Sequence, residues 1–222
     1  MAKSRRESAE ELRERAKHIV TLLKARYPRA TTALRYSTAH ELLVATVLAA
    51  QCTDKKVNEV TESLFKKYRS PGDFAAARRA TLEREIRPTG FFRNKAKSII
   101  ELSKDLVENH GGVVPDSMEE LVKLRGVGRK TANVVLAAVF GRPGIIVDTH
   151  MIRIATRLGF TTQKDPVKIE FELMDIITKR DWGKFSFTVT LHGREVCKAP
   201  RPLCHICVIE KYCPSSLLKH EA

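Results

Sequence analysis

The sequence predicts an all-α protein, and three observations carry that prediction. Apolar residues recur at helical spacing along most of the chain rather than alternating. Ser, Thr or Asp repeatedly stands just before such a segment, several times with an acidic residue three places on. Pro and Gly cluster at a few boundaries instead of recurring as the turns of a β-sandwich would.

About ten helices follow in order. The first runs from about Ser8 to Tyr27, with Leu12, Ile19, Leu22 and Leu23 inward. Thr38, with Glu41 as the second half of a capping box, opens a helix carrying the apolar run Leu42 to Ala50, which reads as buried and central. Thr53 caps the next, to about Tyr68, with Val57, Val60, Leu64 and Phe65 on one stripe. Ser70-Pro71, with Asp73, opens a short helix, and another spans about Thr81 to Arg87. A long amphipathic helix covers Arg93 to Asn109, with Ala96, Ile99, Ile100, Leu102 and Leu106 inward, and stops at Gly111-Gly112. Ser117 and Glu120 box a short helix to about Leu124. Arg129 to Phe140 is helical, then Gly141-Arg142-Pro143-Gly144 breaks the chain. Asp148 starts a helix to about Leu158, Asp165-Pro166 one to about Thr178, and the last spans about Gly183 to Cys197.

Composition narrows the function. Lys and Arg number 40 against 26 Asp and Glu, an excess of +14. Such an excess points to a polyanionic partner or, more blandly, to a basic solvated surface. At 43% hydrophobic, the chain can bury a core, so general disorder is excluded. Its longest apolar run is far shorter than the roughly 20 residues of a membrane span. The charged N-terminal segment is not a secretory signal. An intracellular chain is expected, in which clustered cysteines read as a metal site rather than disulfides.

Three constellations could carry chemistry. The first is Leu124-Arg125-Gly126-Val127-Gly128-Arg129-Lys130, between two helices. Two glycines around a small apolar residue allow a tight hairpin, and the following helix N-terminus favours an anion such as a DNA phosphate. That is the layout of a helix-hairpin-helix element, which grips backbone without reading sequence. Lys130 then reads either as one more phosphate contact or as a nucleophile. An amine attacks only when neutral, which desolvation or neighbouring cations such as Arg125 and Arg129 favour.

The second is Asp148, at a helix start after Ile145-Ile146-Val147 and before Thr149-His150. An N-cap is the ordinary role for such an aspartate. Chain geometry offers another. A ten-residue helix after Lys130 advances about 15 Å, and the extended return after Gly144 can bring Asp148 back to the same level. Lysine and aspartate together suit attack on a sugar C1′ with loss of the base. The third is Cys197, Cys204, Cys207 and Cys213, whose spacing fits zinc and a [4Fe–4S] cluster equally. Lys198 and Arg201 make the first ligand loop basic, while His192 and His205 could also ligate. Cys52, alone, reads as a buried hydrophobe. Gln51 is an unexplained polar residue at the end of the central helix. Phe91, in Gly90-Phe91-Phe92-Arg93-Asn94-Lys95, is either core or a wedge for a base stack.

LRGVGRKTANVVLAAVFG, then VDTH, then LHGREVC with the four-cysteine spacing, resemble the endonuclease III family, helix-hairpin-helix DNA glycosylases with an iron–sulfur cluster. AAQCTD and GFFRNKA are also similar to family segments. The likeness runs from about residue 10 to residue 214. It implies two lobes with DNA in the cleft between them: a six-helix barrel over 31–142, and a second lobe of 1–30 with 143–222 holding the cluster. It implies Lys130 and Asp148 as catalytic residues. The four cysteines become ligands of [4Fe–4S] rather than zinc. Gln51 and Phe91 become the residues that fill the gap and wedge the duplex, and His150 lines the pocket. Arg125, Gly126, Val127, Gly128, Arg129, Lys198 and Arg201 fall on the DNA-binding surface, joined by Arg93, Lys95 and Lys97 after the wedge.

The implied activity is base excision on double-stranded DNA, with removal of a flipped, oxidised pyrimidine of the thymine glycol type and a nick 3′ to the abasic site. Lys130 matters for this, because relatives that only remove a mismatched base lack a lysine there. A non-catalytic or redox-sensing binder of damaged DNA, or a glycosylase for mismatched or alkylated bases, is the alternative. Arg125, where many members have proline, and Phe91, where many have leucine, are departures that bear on efficiency. A bacterial, cytoplasmic monomer is expected.

Overall fold

The computed structural model describes residues 7–218, so the basic Lys3, Arg5 and Arg6 lie outside the described residues. The regular elements are α1 (Ala9–Arg26), α2 (Ala39–Leu48), α3 (Asp54–Lys67), α4 (Pro71–Ala75), α5 (Arg79–Glu85), α6 (Phe92–His110), α7 (Met118–Leu121), α8 (Arg129–Ala138), α9 (Thr149–Arg157), α10 (Pro166–Ile176) and α11 (Trp182–Glu195), with four short 3-10 turns. Among the described residues there is no strand, so the fold is all-α as predicted. The chain divides into two compact units: Thr32–Arg142, and the segment up to Thr31 together with that from Pro143 onward.

In the unit Thr32–Arg142, α2 is the hub. Every residue from Leu42 to Leu48 is buried, as the unbroken apolar run requires. Its start is capped by Thr38, whose hydroxyl accepts from the Glu41 N–H. The expected box closes one residue early, because the Glu41 carboxylate accepts from the Ser37 N–H instead. The Ser70–Asp73 box forms in full and seats Phe74 in the core. Along α6, Ala96, Ile99, Leu102 and Leu106 are buried on one stripe, and α2, α4 and α5 pack against this helix. Burial of each Ile or Leu side chain stabilises by about 1.5–3 kcal/mol. The helix stops where predicted. Gly111 and Gly112 take positive φ of 58° and 78°, and the Gly112 N–H donates to the Leu106 carbonyl at 2.8 Å.

The other unit is built on α1, α9, α10 and α11. Ile19, Leu23, Met151, Ile154, Ile169, Leu173, Phe185 and Val189 form its core, while Leu12 and Leu22, expected inward, are only partly buried at its margin. Arg15 ties α1 to later segments, donating to the carbonyls of Leu158 at 2.9 Å and Tyr212 at 3.0 Å. Several helices stop short of their sequence pattern. The last, α11, ends at Glu195 rather than Cys197. Likewise α8 ends at Ala138 rather than Phe140, because Gly141 turns left-handed and the Arg142 N–H folds back onto the Leu136 carbonyl.

His40, buried in the first turn of α2, lies 3.0 Å from the Ser103 hydroxyl of α6 and edge-on to Phe74. Burial pushes its imidazole down to about 4 from 6.5. The unfolded chain therefore takes up a proton near pH 6.5 that the folded protein refuses until near pH 4. Stability present above pH 6.5 is lost as pH falls through that window. Denaturant titration should show His40 removing about 2 kcal/mol between pH 7 and pH 5. His40→Gln should start less stable and lose correspondingly less over the same interval.

Candidate active site

The glycine hairpin sits between α7 and α8. Gly126 has φ +77°, which favours glycine, and a Cβ there would meet the Ser98 Cβ of α6 at 2.8 Å. Two constraints thus require glycine at this position. Gly128 differs: its φ of −94° is open to any residue and a Cβ would meet nothing. Its missing side chain leaves room in front of the α8 N-terminus, where first-turn N–H groups have no intrahelical acceptor. Val127 does not present itself outward as the DNA-binding reading implies. Its side chain is buried and its N–H donates to the Leu124 carbonyl at 3.1 Å, so it anchors the hairpin. Arg125 is exposed and leans on Glu101 of α6 at 3.4 Å. Arg129 is half-buried at the first position of α8 and Lys130, next, is exposed. The desolvation that favours a neutral amine is therefore not supplied by the chain itself.

Asp148 caps α9, and both its oxygens are used. One accepts from the Met151 N–H at 2.8 Å, the other from the Thr190 hydroxyl of α11 at 3.1 Å. The N-cap role and a fixed carboxylate are therefore the same arrangement. His150, half-buried, has its Nδ1 3.0 Å from the Arg153 guanidinium. Burial lowers its pKa, against the Asp148 charge, which raises it. A Cβ at Gly193 would come within 2.6 Å of that Nδ1, so this glycine makes room for the ring. Sequence reasoning missed Thr190, Arg153 and Gly193. His150, Arg153 and Arg157 follow one helical stripe, the signal that could have found the arginine.

Cys197, Cys204, Cys207 and Cys213 all line one cavity, with Ile154, Leu158, Val196, Leu203 and Ile209 among its apolar walls. Burial pushes the Cys207 thiol up to about 11, and the other three cysteines add to the shift. Polar side chains stand beside two of the sulfurs. Arg157 donates to the Cys197 Sγ at 3.2 Å, and the His192 Nε2 lies 3.4 Å from the Cys207 Sγ. His192 is thus beside a sulfur rather than in place of one, and His205 is exposed. Arg153 and Arg157 also hold the carbonyls of Cys197 and Lys198, which fixes the start of the loop bearing the exposed Lys198 and Arg201.

Gln51 and Phe91 share an unusual backbone. Among the described residues they are the non-glycine positions with positive φ, 54° and 48°. Such conformations cost about 1–3 kcal/mol each and gather at functional sites. Gln51 is exposed and Phe91 is 63% exposed, so the core reading of Phe91 is excluded. Cys52 is only half-buried, because α2 ends at Leu48 and the chain has already turned outward. Lys95 corrects the sequence reading. It is 5% exposed, and its ammonium donates to the carbonyls of Leu48 at 2.8 Å and Thr89 at 2.7 Å. It lies on the stripe of Ile99, Leu102 and Leu106, which its charge disguised. Arg93 and Lys97 are not so buried.

The chain is similar to known proteins in sequence and in fold. Residues 44–179 match the family described as HhH-GPD superfamily base excision DNA repair protein. Endonuclease III of Synechocystis sp. is 49% identical over 205 residues, covering 92% of this chain and 94% of that protein. A solved non-covalent endonuclease III–DNA complex has a TM-score of 0.86 at 42% identity, covering 91% of this chain and 95% of that one. A trapped endonuclease III–DNA covalent intermediate matches with the same TM-score and identity, covering 91% and 96%. The chain belongs to the endonuclease III family of HhH-GPD base excision DNA repair proteins.

Proposed function

We propose that this enzyme, a bifunctional DNA glycosylase and abasic-site lyase of base excision repair, removes oxidised pyrimidines of the thymine glycol type from double-stranded DNA. Lys130 is its nucleophile. The observation that carries this is a lysine exposed at the second position of α8, directly after a glycine hairpin shaped for phosphate. A similar endonuclease III has been solved as a trapped covalent intermediate with DNA.

The steps follow from the chemistry of the groups. Phosphates bind at the hairpin and the α8 N-terminus. The damaged nucleotide leaves the stack at a cost of a few kcal/mol, less for a lesion, while Phe91 and Gln51 take the vacated space. Bound DNA covers Lys130 and supplies the desolvation that the free chain lacks. The neutral amine attacks C1′, and the C1′–N bond breaks with its electrons going to the base, which takes up a proton. Asp148, fixed by Met151 and Thr190, offsets the positive charge that develops at the sugar. Loss of the ring oxygen bond gives a Schiff base. Removal of a C2′ proton then expels the 3′ phosphate by β-elimination. His150 lines the pocket.

The cysteine cavity fits a [4Fe–4S] cluster. It gathers four soft sulfur donors between apolar walls, with a guanidinium beside one sulfur to offset negative charge and an imidazole beside another. Such a group would supply structural cross-linking, holding the Lys198–Arg201 loop for phosphate contact. The site of action is chromosomal DNA in a bacterial cytoplasm, in keeping with the bacterial relatives.

Borohydride should trap a covalent adduct with abasic-site DNA, and Lys130→Ala should reduce it by several orders of magnitude. A panel of lesion-bearing duplexes should show base release fastest from oxidised pyrimidines. Binding without release from any lesion would indicate a non-catalytic binder, and release only from mismatched or alkylated bases would reassign the substrate. Gly126→Ala should lower stability by about 1 kcal/mol or more and weaken binding to abasic-site DNA. Purified protein should be brown and hold roughly four irons per chain, lost in Cys213→Ser. A colourless, zinc-holding protein would contradict the cluster.

A further inference from the structure

The proposed mechanism gives Gln51 and Phe91 to the duplex but leaves unexplained what holds them. The two residues lie on separate turns, one after the C-terminus of α2 and one at the N-terminus of α6. Both are in the left-handed region without being glycine, and neither turn is held there by intrinsic preference. Strained backbone persists only where its surroundings over-determine it.

One side chain does that for both turns. The Lys95 Nζ donates to the carbonyl of Leu48, the last residue of α2, at 2.8 Å. It also donates to the carbonyl of Thr89, two residues before Phe91, at 2.7 Å. The same residue's backbone N–H donates to the Phe91 carbonyl at 3.1 Å. Lys95 thus holds the Phe91 turn from both its ends and the Gln51 turn through the end of α2. A helix C-terminus carries partial negative charge and is a favourable partner for a cation. Even so, burying an ammonium among carbonyls costs free energy unless its hydrogen bonds are well made. An apolar residue would continue the stripe of Ile99, Leu102 and Leu106 without that cost.

We propose that Lys95 is a positioning residue that locks the Gln51 and Phe91 turns into one rigid insertion element. It does not touch DNA. Its contribution is to keep the two inserting side chains in fixed relation, so that neither has to be ordered as the duplex opens. This rests on the reading that Gln51 and Phe91 enter the duplex. The expected signature is selective: Lys95 matters where a nucleotide must be extruded from paired DNA and not where it is already unpaired.

Single-turnover base release would be measured for one oxidised pyrimidine in a fully paired duplex and in a single-stranded oligonucleotide. Lys95→Met should slow the paired reaction about 10- to 100-fold more than the single-stranded one. Lys95→Arg, which keeps a cation, should recover part of the difference. In a Gln51→Ala/Phe91→Ala background, Lys95→Met should add no further selective loss. Equal loss on both substrates, or no loss, overturns the proposal. If Gln51→Ala and Phe91→Ala themselves spare the paired reaction, the reading of the inserting residues fails instead. The wild-type protein offers a test that needs no variant. The amides of Cys52 and Asn94, bonded to Ala49 and Phe91 in the two turns, should show matched protection in hydrogen exchange. Unequal protection would mean that the turns open separately and would overturn the clamp.

Discussion

An α-helix leaves four N–H groups and four carbonyls without intrahelical partners at its ends, and the residues proposed to act on DNA stand at such ends. Lys130 stands in the first turn of α8, Asp148 caps α9, Phe91 precedes α6 and Gln51 follows α2. The helix interiors supply the buried stripes that fix where those ends lie. The ends supply partial charges, open hydrogen-bonding groups and the few strained backbones that the fold tolerates. Packing and function are thereby divided along each helix.

The division shows how residues of one type take opposite roles. Lys95 and Lys130 are both lysines in the first turn of a helix. The first is buried and spends its donors on backbone carbonyls, which makes it part of the scaffold. The second is exposed beside a glycine whose side-chain space is open, which leaves it accessible to a substrate. Gly126 and Gly128 divide in the same way: one is required by its φ and by Ser98, while the other meets no such constraint and leaves room in front of the helix.

Most of this architecture is legible in the sequence because caps and stripes are local. Thr38, Ser70, Ser117, Asp148 and Asp165 each announce a helix start, and each accepts the expected N–H. The cysteine spacing announces a shared site, and the four side chains do line one cavity. What escaped depends on contacts distant in sequence. Thr190 reaches Asp148 across 42 residues, and Arg157 reaches Cys197 across 40. Lys95 escaped for a different reason. Its place on the α6 stripe was visible, but a lysine beside Arg93 and Lys97 reads as surface, and only the carbonyls of Leu48 and Thr89 explain its burial. Val127 was misread because a hairpin's N–H groups look available until one of them is seen to turn inward to Leu124.

The claim on which the catalytic account turns is that one amine, at the start of α8, joins the sugar. The direct measurement is to reduce the reaction intermediate, digest the protein and locate the modified residue by mass spectrometry. The account predicts the deoxyribose remnant on the peptide containing Lys130 and on no other. An adduct on another lysine or on the N-terminal amine would contradict it.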